Sequence, residues 1–165
     1  MRAPFARLLS YWSDRRDGRD MPARSDIDPL QIRDLIGDLS IVDVRQGDAR
    51  YVYRLHCSRQ VELLGQELTG KPATAIRIVE VRDQLLRQLD ETVGARKPLL
   101  FRAALASVPG APAYERLVLP LSADGRQPNM VMTMVLPVDR SIRTLEDWYI
   151  SPSASDPLAW SPHHR

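Results

Sequence analysis

Apolar residues recur along the chain with two periods, one typical of helices and the other typical of strands. The first apolar set falls at i, i+3, i+4 and i+7, the spacing of one helical face, and consists of Phe5, Leu8, Leu9 and Trp12. We expect this N-terminal helix to end near Gly18. Its apolar face requires cover, so these four residues form a candidate interaction surface.

A second helical pattern begins after the polar segment 19–28. Asp28 followed by Pro29 is typical of an N-cap with proline at the first helical position. Apolar residues continue as far as Gly37, which predicts a short helix over 29–36. A longer pattern with a 3.6-residue period predicts one long helix over about 76–95.

Alternation with a period of two predicts five strands, at 39–44, 51–57, 99–105, 114–121 and 130–136. In the last strand Met130, Met132 and Met134 face one way, whereas Val131 and Val135 face the other. Both faces are therefore apolar, which is typical of a sheet that is covered on both sides.

The order of two strands, helices and three strands predicts an α+β fold with a five-stranded antiparallel sheet. We expect short helices and the long helix to cover one face of that sheet. The N-terminal helical extension, or its copy from a second subunit, would cover the other face, so we expect a homodimer. The expected units are an extension over 1–37, a domain over 38–140 and a mobile tail over 141–165.

The most specific motif lies between the second strand and the long helix. Gly65, Glu67, Leu68, Gly70 and Lys71 match the form G-x-E-L-x-G-[KR]. This segment resembles the PAS sensory domain, in which the second strand is followed by small helices and then by that motif. The resemblance implies a PAS-like sheet.

Further spaced motifs extend the resemblance over roughly residues 5 to 140. They are Tyr11-Trp12, segment 22–29, Tyr53-Arg54-Leu55, Tyr114-Glu115-Arg116, segment 119–121 and Asp124-Gly125. Together they are similar to a bacterial family of small, stand-alone PAS proteins, long catalogued only as a domain of unknown function. The chain departs from that family at His56-Cys57-Ser58, where the family usually has a small residue, glycine and threonine.

The resemblance implies a non-catalytic cytoplasmic module for signal transduction. In one interpretation it binds a small molecule and relays the bound state to an unknown signalling protein. In the other it is a ligand-free adaptor that acts through dimerisation and through docking on a partner.

Composition and charge narrow the classes of partner. The chain is 44% hydrophobic and 27% charged, and no apolar run approaches the roughly 20 residues of a membrane span. Its net charge of +2 is too small to indicate a nucleic-acid partner. Cys57 is the only cysteine, which excludes an internal disulfide and favours a reducing cytoplasm. Segment 1–18 lacks the features of a signal peptide, because Arg7 interrupts its apolar residues.

Six strand residues are candidates for lining a ligand pocket: Tyr53, Arg54, Cys57, Phe101, Arg116 and Met132. The structural alternative for Met132 and Cys57 is a place in the core, and for Cys57 we prefer it over a reactive thiol. Arg54 and Arg116 are the polar candidates. Their alternative is an ion pair with a carboxylate such as Glu115 or Glu62.

Catalysis and bound cofactors are not expected. His56 and Cys57 are adjacent on the predicted strand, so they point to opposite faces and form neither a catalytic pair nor a metal site. Haem-binding PAS domains typically supply a histidine from the long helix, and segment 76–95 has none. In light-sensing PAS domains the flavin-binding cysteine lies on a helix within an N-C-R motif. Cys57 lies on the predicted strand instead, so flavin is not expected either. His163 and His164 are interpreted as part of a solvated tail.

Overall fold

The computed structural model describes residues 1–105 and 113–138 of the 165-residue chain. Its centre is an antiparallel sheet of five strands in the order β2-β1-β5-β4-β3. The strands are β1 (Leu39–Val44), β2 (Tyr51–Leu55), β3 (Leu99–Ala103), β4 (Tyr114–Leu121) and β5 (Met130–Pro137). The expected α+β class, with five antiparallel strands, is confirmed.

Three α-helices lie within the described residues: α1 (Ala3–Arg15), α2 (Ser58–Leu64) and α3 (Val79–Ala95). Short 3-10 helices occupy Arg24–Asp26, Pro29–Ile32, Ile36–Asp38 and Ala73–Ala75. α2 ends at Gly65, whose φ of 62° is a left-handed conformation that glycine adopts readily. None of these helices is long and apolar enough to cross a membrane.

The sheet separates two apolar clusters. Its inner face packs against α2, α3 and the segment between them, and it presents Val42, Tyr53, Val118, Val131 and Val135. Its outer face packs against α1 and the segment that leads to β1, and it presents Leu39, Ile41, Leu117, Leu119, Met132 and Met134. The predicted division of the β5 residues between the two faces is confirmed.

The chain covers its own outer face with α1. Phe5 and Leu8 are fully buried there, and Trp12 is 3% exposed. The indole Nε1–H of Trp12 donates a hydrogen bond to the carbonyl oxygen of Pro120 in β4 at 2.9 Å. The expected interaction surface is therefore wrong for these three residues, because their side chains already belong to the core. Leu9 alone of the four remains partly exposed.

The segment predicted as a helix over 29–36 forms two 3-10 turns, Pro29–Ile32 and Ile36–Asp38. Asp28 caps the first turn as expected, since its Oδ1 accepts a hydrogen bond from the backbone N–H of Leu30 at 3.0 Å. Short helical segments often take this tighter i to i+3 form.

The second strand is shorter than predicted. β2 ends at Leu55, which is 43% exposed, and the chain then turns so that both His56 and Cys57 are buried. Cys57 is the N-cap residue of α2, so its predicted position on the strand is wrong. Alternation fails here because it holds only while the backbone stays extended. The tail over 141–165, including His163 and His164, lies outside the described residues.

Candidate functional site

A small cavity lies between the inner face of the sheet and helices α2 and α3. Its water-accessible volume is about 50 Å³, several times the 10–15 Å³ that one water molecule needs. Most of its lining is aliphatic, from Leu63, Leu64, Ile76, Val81, Leu85 and Val135 among others. The cavity therefore has an apolar body to which a few polar groups are added.

Four polar side chains complete the lining: Tyr53, Gln60, Tyr114 and Arg116. Arg116 is 4% exposed, and one of its terminal nitrogens donates a hydrogen bond to Oε1 of Gln88 at 2.6 Å. Its Nε–H is buried without an acceptor, and so is the amide Nε2 of Gln60, which is also 4% exposed. Two buried donors on the cavity wall are thus unpartnered.

The buried charge of Arg116 meets only neutral groups. An arginine guanidinium remains protonated in proteins. Within residues 1–105 and 113–138 no carboxylate forms a salt bridge with it. The guanidinium lies 5.2 Å from the ring centre of Tyr114, and burial raises the pKa of Tyr53 to about 12, so that phenol is neutral.

Two elements hold Arg116 in place. β4 is paired on both sides, so that Arg116 lies opposite Phe101 in β3 and opposite Val135 in β5. α3 supplies the amide oxygen of Gln88. The neighbouring Tyr114 is fixed in the same way, since its hydroxyl donates to Oε1 of Gln84 in α3 at 2.7 Å. The polar part of the cavity is therefore built on rigid elements rather than on loops.

The structure distributes the six pocket candidates widely. Tyr53 and Arg116 line the cavity. Phe101 packs on the same side of the sheet but outside the lining, and Met132 is buried on the outer face beneath α1. The alternative interpretation of Met132 as a core residue is confirmed.

Arg54 is wrong as a pocket residue. It lies on the edge strand β2 with its side chain 55% exposed, and its Nε–H donates to Oδ1 of Asp43 at 2.8 Å. Burial raises the pKa of Asp43, but hydrogen bonds from Arg54 and Arg45 outweigh it and hold that pKa below its usual value. The ion-pair alternative holds for Arg54, with a carboxylate from β1 in place of Glu115 or Glu62.

His56 and Cys57 are buried but lie outside the cavity lining. Nδ1 of His56 accepts a hydrogen bond from the backbone N–H of Leu68 at 3.3 Å, and burial lowers the pKa of its imidazole. Burial raises the pKa of the Cys57 thiol, whose backbone N–H donates to Oγ of Ser40 at 3.0 Å. Among the described residues no group of three or more histidine, cysteine, aspartate or glutamate side chains is arranged to hold a metal ion.

Gln60 and Tyr114 are the polar lining residues that the sequence analysis does not select. Tyr114 precedes Arg116 by two residues on one strand, so the same alternation that selects Arg116 also points to it. Gln60 has no comparable signal. It lies on the seven-residue helix α2, where packing against the rest of the fold decides which side faces inward.

A family model described as a PAS domain matches residues 1–135. A search of the curated proteins found no match. Among solved structures, the chain is similar to a sensory box sensor histidine kinase from Vibrio cholerae, with 17% identity, 67% of this chain and 91% of that chain covered, and a TM-score of 0.47.

Two further structures show a similar likeness. A LOV protein of Rhodobacter sphaeroides is 13% identical, with 70% of each chain covered and a TM-score of 0.43. A fungal LOV domain photoreceptor is 13% identical, with 70% of this chain and 94% of that chain covered and a TM-score of 0.45. These values are too low to transfer the properties of those proteins to this chain.

Proposed function

The chain belongs to the PAS domain family, and from this premise we propose that it is a non-catalytic sensory module whose cavity binds a small molecule and whose bound state is relayed to a partner protein. The observation that carries the proposal is the pair of unpartnered donors, Arg116 Nε and Gln60 Nε2, on the wall of an otherwise apolar cavity.

The composition of the cavity supports small-molecule binding. Ligand sites are typically concave and mainly apolar, with a small number of polar groups that fix orientation. A buried donor that lacks an acceptor destabilises the folded state by about 1–3 kcal/mol. A ligand with matching acceptors would remove that penalty at two places.

The position of the cavity supports a relay. Its walls come from the sheet, from α2 and from α3, so a molecule that fills it contacts three elements at once. We propose that the ligand favours one packing of α2 and α3 over another and so shifts the population that a partner recognises. The partner would be a signalling protein in the same compartment, for which we propose the cytoplasm.

The surroundings of Cys57 and His56 support a non-catalytic role. A nucleophilic cysteine needs a lowered thiol pKa, and burial raises that of Cys57. The nearby His56 has its Nδ1 occupied by the backbone of Leu68. Neither side chain lines the cavity in which a substrate would bind.

Native mass spectrometry of the full chain tests the proposal. The protein is purified gently from cells, its intact mass is recorded, and any released molecule is identified after denaturation. We expect one small molecule per chain in the wild type and none in Val135→Phe, whose added ring fills the cavity. Val131→Phe is the matched control, because Val131 lies on the same face of β5 outside the lining.

The adaptor alternative has one structural observation in its favour. β3 pairs only with β4 among the described strands, and its Leu100 is 38% exposed. An unpaired edge of this kind can pair with another chain. An empty wild-type protein that runs as a dimer in the same measurement would favour the adaptor over the sensor.

A further inference from the structure

We propose that the ligand is a monocarboxylate with an apolar body, whose carboxylate is held by Arg116 and Gln60. This inference rests on the proposed function, because it assigns a chemical class to the molecule in the same cavity. It depends on three features of the described residues: an uncompensated buried charge, two unpartnered donors and an aliphatic wall.

The charge requires an anion. Burying an ionised group is costly unless an opposite charge accompanies it. Arg116 is 4% exposed, yet its one side-chain hydrogen-bond partner is the neutral amide of Gln88, and the ring of Tyr114 gives only a cation–π contact. The nearby Glu115 instead lies 3.6 Å from Arg2. The missing counter-charge must therefore come from outside the described part of the chain.

The unpartnered atoms specify acceptors. Arg116 Nε and Gln60 Nε2 both carry hydrogen and act only as hydrogen-bond donors. The ligand group that pairs with them must therefore be a hydrogen-bond acceptor. A carboxylate offers two oxygens and matches the planar guanidinium. An alcohol or an amine would satisfy the donors poorly and would leave the charge uncompensated.

The wall selects a singly charged, apolar molecule. Among the described lining residues Arg116 is the only cationic side chain, and most of the others are aliphatic. A phosphate or a dicarboxylate would bring a second negative charge into a cavity whose described lining has no second cation to meet it. Leu63, Leu64 and Leu85 would contact the hydrocarbon part of a monocarboxylate instead.

Isothermal titration calorimetry with straight-chain acids tests the assignment. The full-length protein is unfolded in guanidinium chloride, desalted and refolded to remove any carried molecule. It is then titrated with acetate, butyrate, hexanoate and octanoate, and with hexan-1-ol and hexanamide as neutral matches. We expect the acids within one range of chain lengths to bind and the others to bind weakly. We expect hexanoate to bind at least roughly tenfold more tightly than hexan-1-ol or hexanamide.

Variants assign the contacts. Arg116→Gln should weaken hexanoate at least roughly tenfold and leave hexan-1-ol unchanged, since only the charged contact is lost. Arg54→Gln is the matched control, because the same substitution at the exposed side chain of Arg54, outside the cavity lining, should leave both affinities unchanged. Gln60→Leu removes the second hydrogen-bond donor and retains the guanidinium of Arg116. If Arg116→Gln does not fold, the loss of hexanoate affinity in Gln60→Leu provides the test.

The outcomes separate this inference from the proposed function. Equal binding of hexanoate and hexan-1-ol, with no loss in Arg116→Gln or Gln60→Leu, would overturn the carboxylate assignment and leave a sensor of neutral molecules. A neutral or cationic molecule in native mass spectrometry would do the same. No binding by any acid or neutral compound, together with an empty native protein, would overturn both.

Discussion

Arg116 shows how one residue can define a site. β4 carries its guanidinium to the apolar side of the sheet, where a hydrophobic side chain of similar length would pack without cost. Replacing buried ionic groups with apolar ones often stabilises a protein, because their desolvation is avoided. A charged side chain in this position therefore lowers the stability of the ligand-free protein, and in the proposed function it would supply binding energy to an anionic ligand.

Because burial of the Arg116 guanidinium costs stability, we expect a double substitution that removes it to stabilise the ligand-free protein. In Arg116→Met/Gln88→Leu both members of the hydrogen-bonded pair become apolar, so neither is left without its partner. We expect the free energy of unfolding of the ligand-free protein to rise by about 1–4 kcal/mol in chemical denaturation. Arg116→Met alone should gain less, because the amide oxygen of Gln88 then loses its donor. A large loss of stability in the double variant would show that the guanidinium is already compensated.

His56 predicts a pH dependence of stability. Burial lowers the pKa of its imidazole in the folded protein, so the unfolded chain binds a proton more readily than the folded one. Glu67, whose Oε1 lies 3.7 Å from Nδ1, and a side-chain hydrogen bond with Gln60 oppose this shift and only partly offset it. The contribution of His56 is thus full above the ordinary histidine pKa of about 6.5 and falls as the pH drops below it.

Denaturation of wild type and His56→Gln between pH 7.5 and 5 measures this contribution, and we choose that range to bracket the histidine pKa of about 6.5. The wild type should lose more free energy of unfolding than the variant as the pH falls. His163 and His164 are common to both proteins, so their effect cancels in the comparison. Equal slopes would mean that the folded protein accommodates the protonated imidazole.

The site was predictable only in part at this scale. Tyr53 and Arg116 follow from alternation within strands that remain extended, and the structure places both in the cavity lining. Arg54 does not, because it points away from the face of Tyr53 on the edge strand β2 and pairs with Asp43. Cys57 does not, because β2 ends at Leu55 and the chain turns there. Gln60 depends on how a two-turn helix docks, which the local sequence does not specify.

At the scale of elements, α1 is part of the core although its sequence is also consistent with an exposed docking helix. Its apolar face indicates that the helix packs against another surface, but it does not identify that surface. The partner is the outer face of the sheet, where Leu117 and Met132 lie in the same cluster as Leu8. The five strands and the long helix were predictable because each has a sustained period, whereas the segment 29–36 was too short for its period to decide between helix types.

Two neighbouring leucines of α1 test its role. Leu8 is fully buried, and Leu9 is partly exposed on the side of the same helix. Leu8→Ala should lower the free energy of unfolding by about 2–5 kcal/mol, since it leaves a cavity beneath the helix. Leu9→Ala is the matched control and should cost less than half as much in the same denaturation series. Equal small effects would mean that α1 is not firmly packed on the sheet.

Substitution by a larger residue on β5 tests the cavity itself. Val131 and Val135 lie on the same face of one strand, but only Val135 lines the cavity. Val131→Phe should destabilise the protein by about 1–3 kcal/mol through overpacking, whereas the ring of Val135→Phe has empty space to enter. Thermal and chemical denaturation compare the two. A larger loss for Val135→Phe would contradict the presence of the cavity.

On the scale of the whole molecule, the sheet separates two apolar clusters that different helices cover. The outer cluster lies beneath α1, and the cavity lies in the inner cluster beneath α2 and α3. A ligand that binds in the inner cluster acts first on the helices that line it. In the proposed function, a signal to a partner would therefore start on that side of the sheet.

Hydrogen exchange with hexanoate tests this division. Hexanoate should slow the exchange of those amides in α2 and at the start of α3 that exchange through local opening. The reason is that Gln60, Leu63 and Val81 line the cavity. Amides of α1 that open locally should be unaffected, since the sheet lies between that helix and the ligand. Arg116→Gln with hexanoate is the control and should show the ligand-free pattern. Equal slowing in α1 and α2 would mean that the two clusters open as one unit, and the ligand would then act on the whole fold.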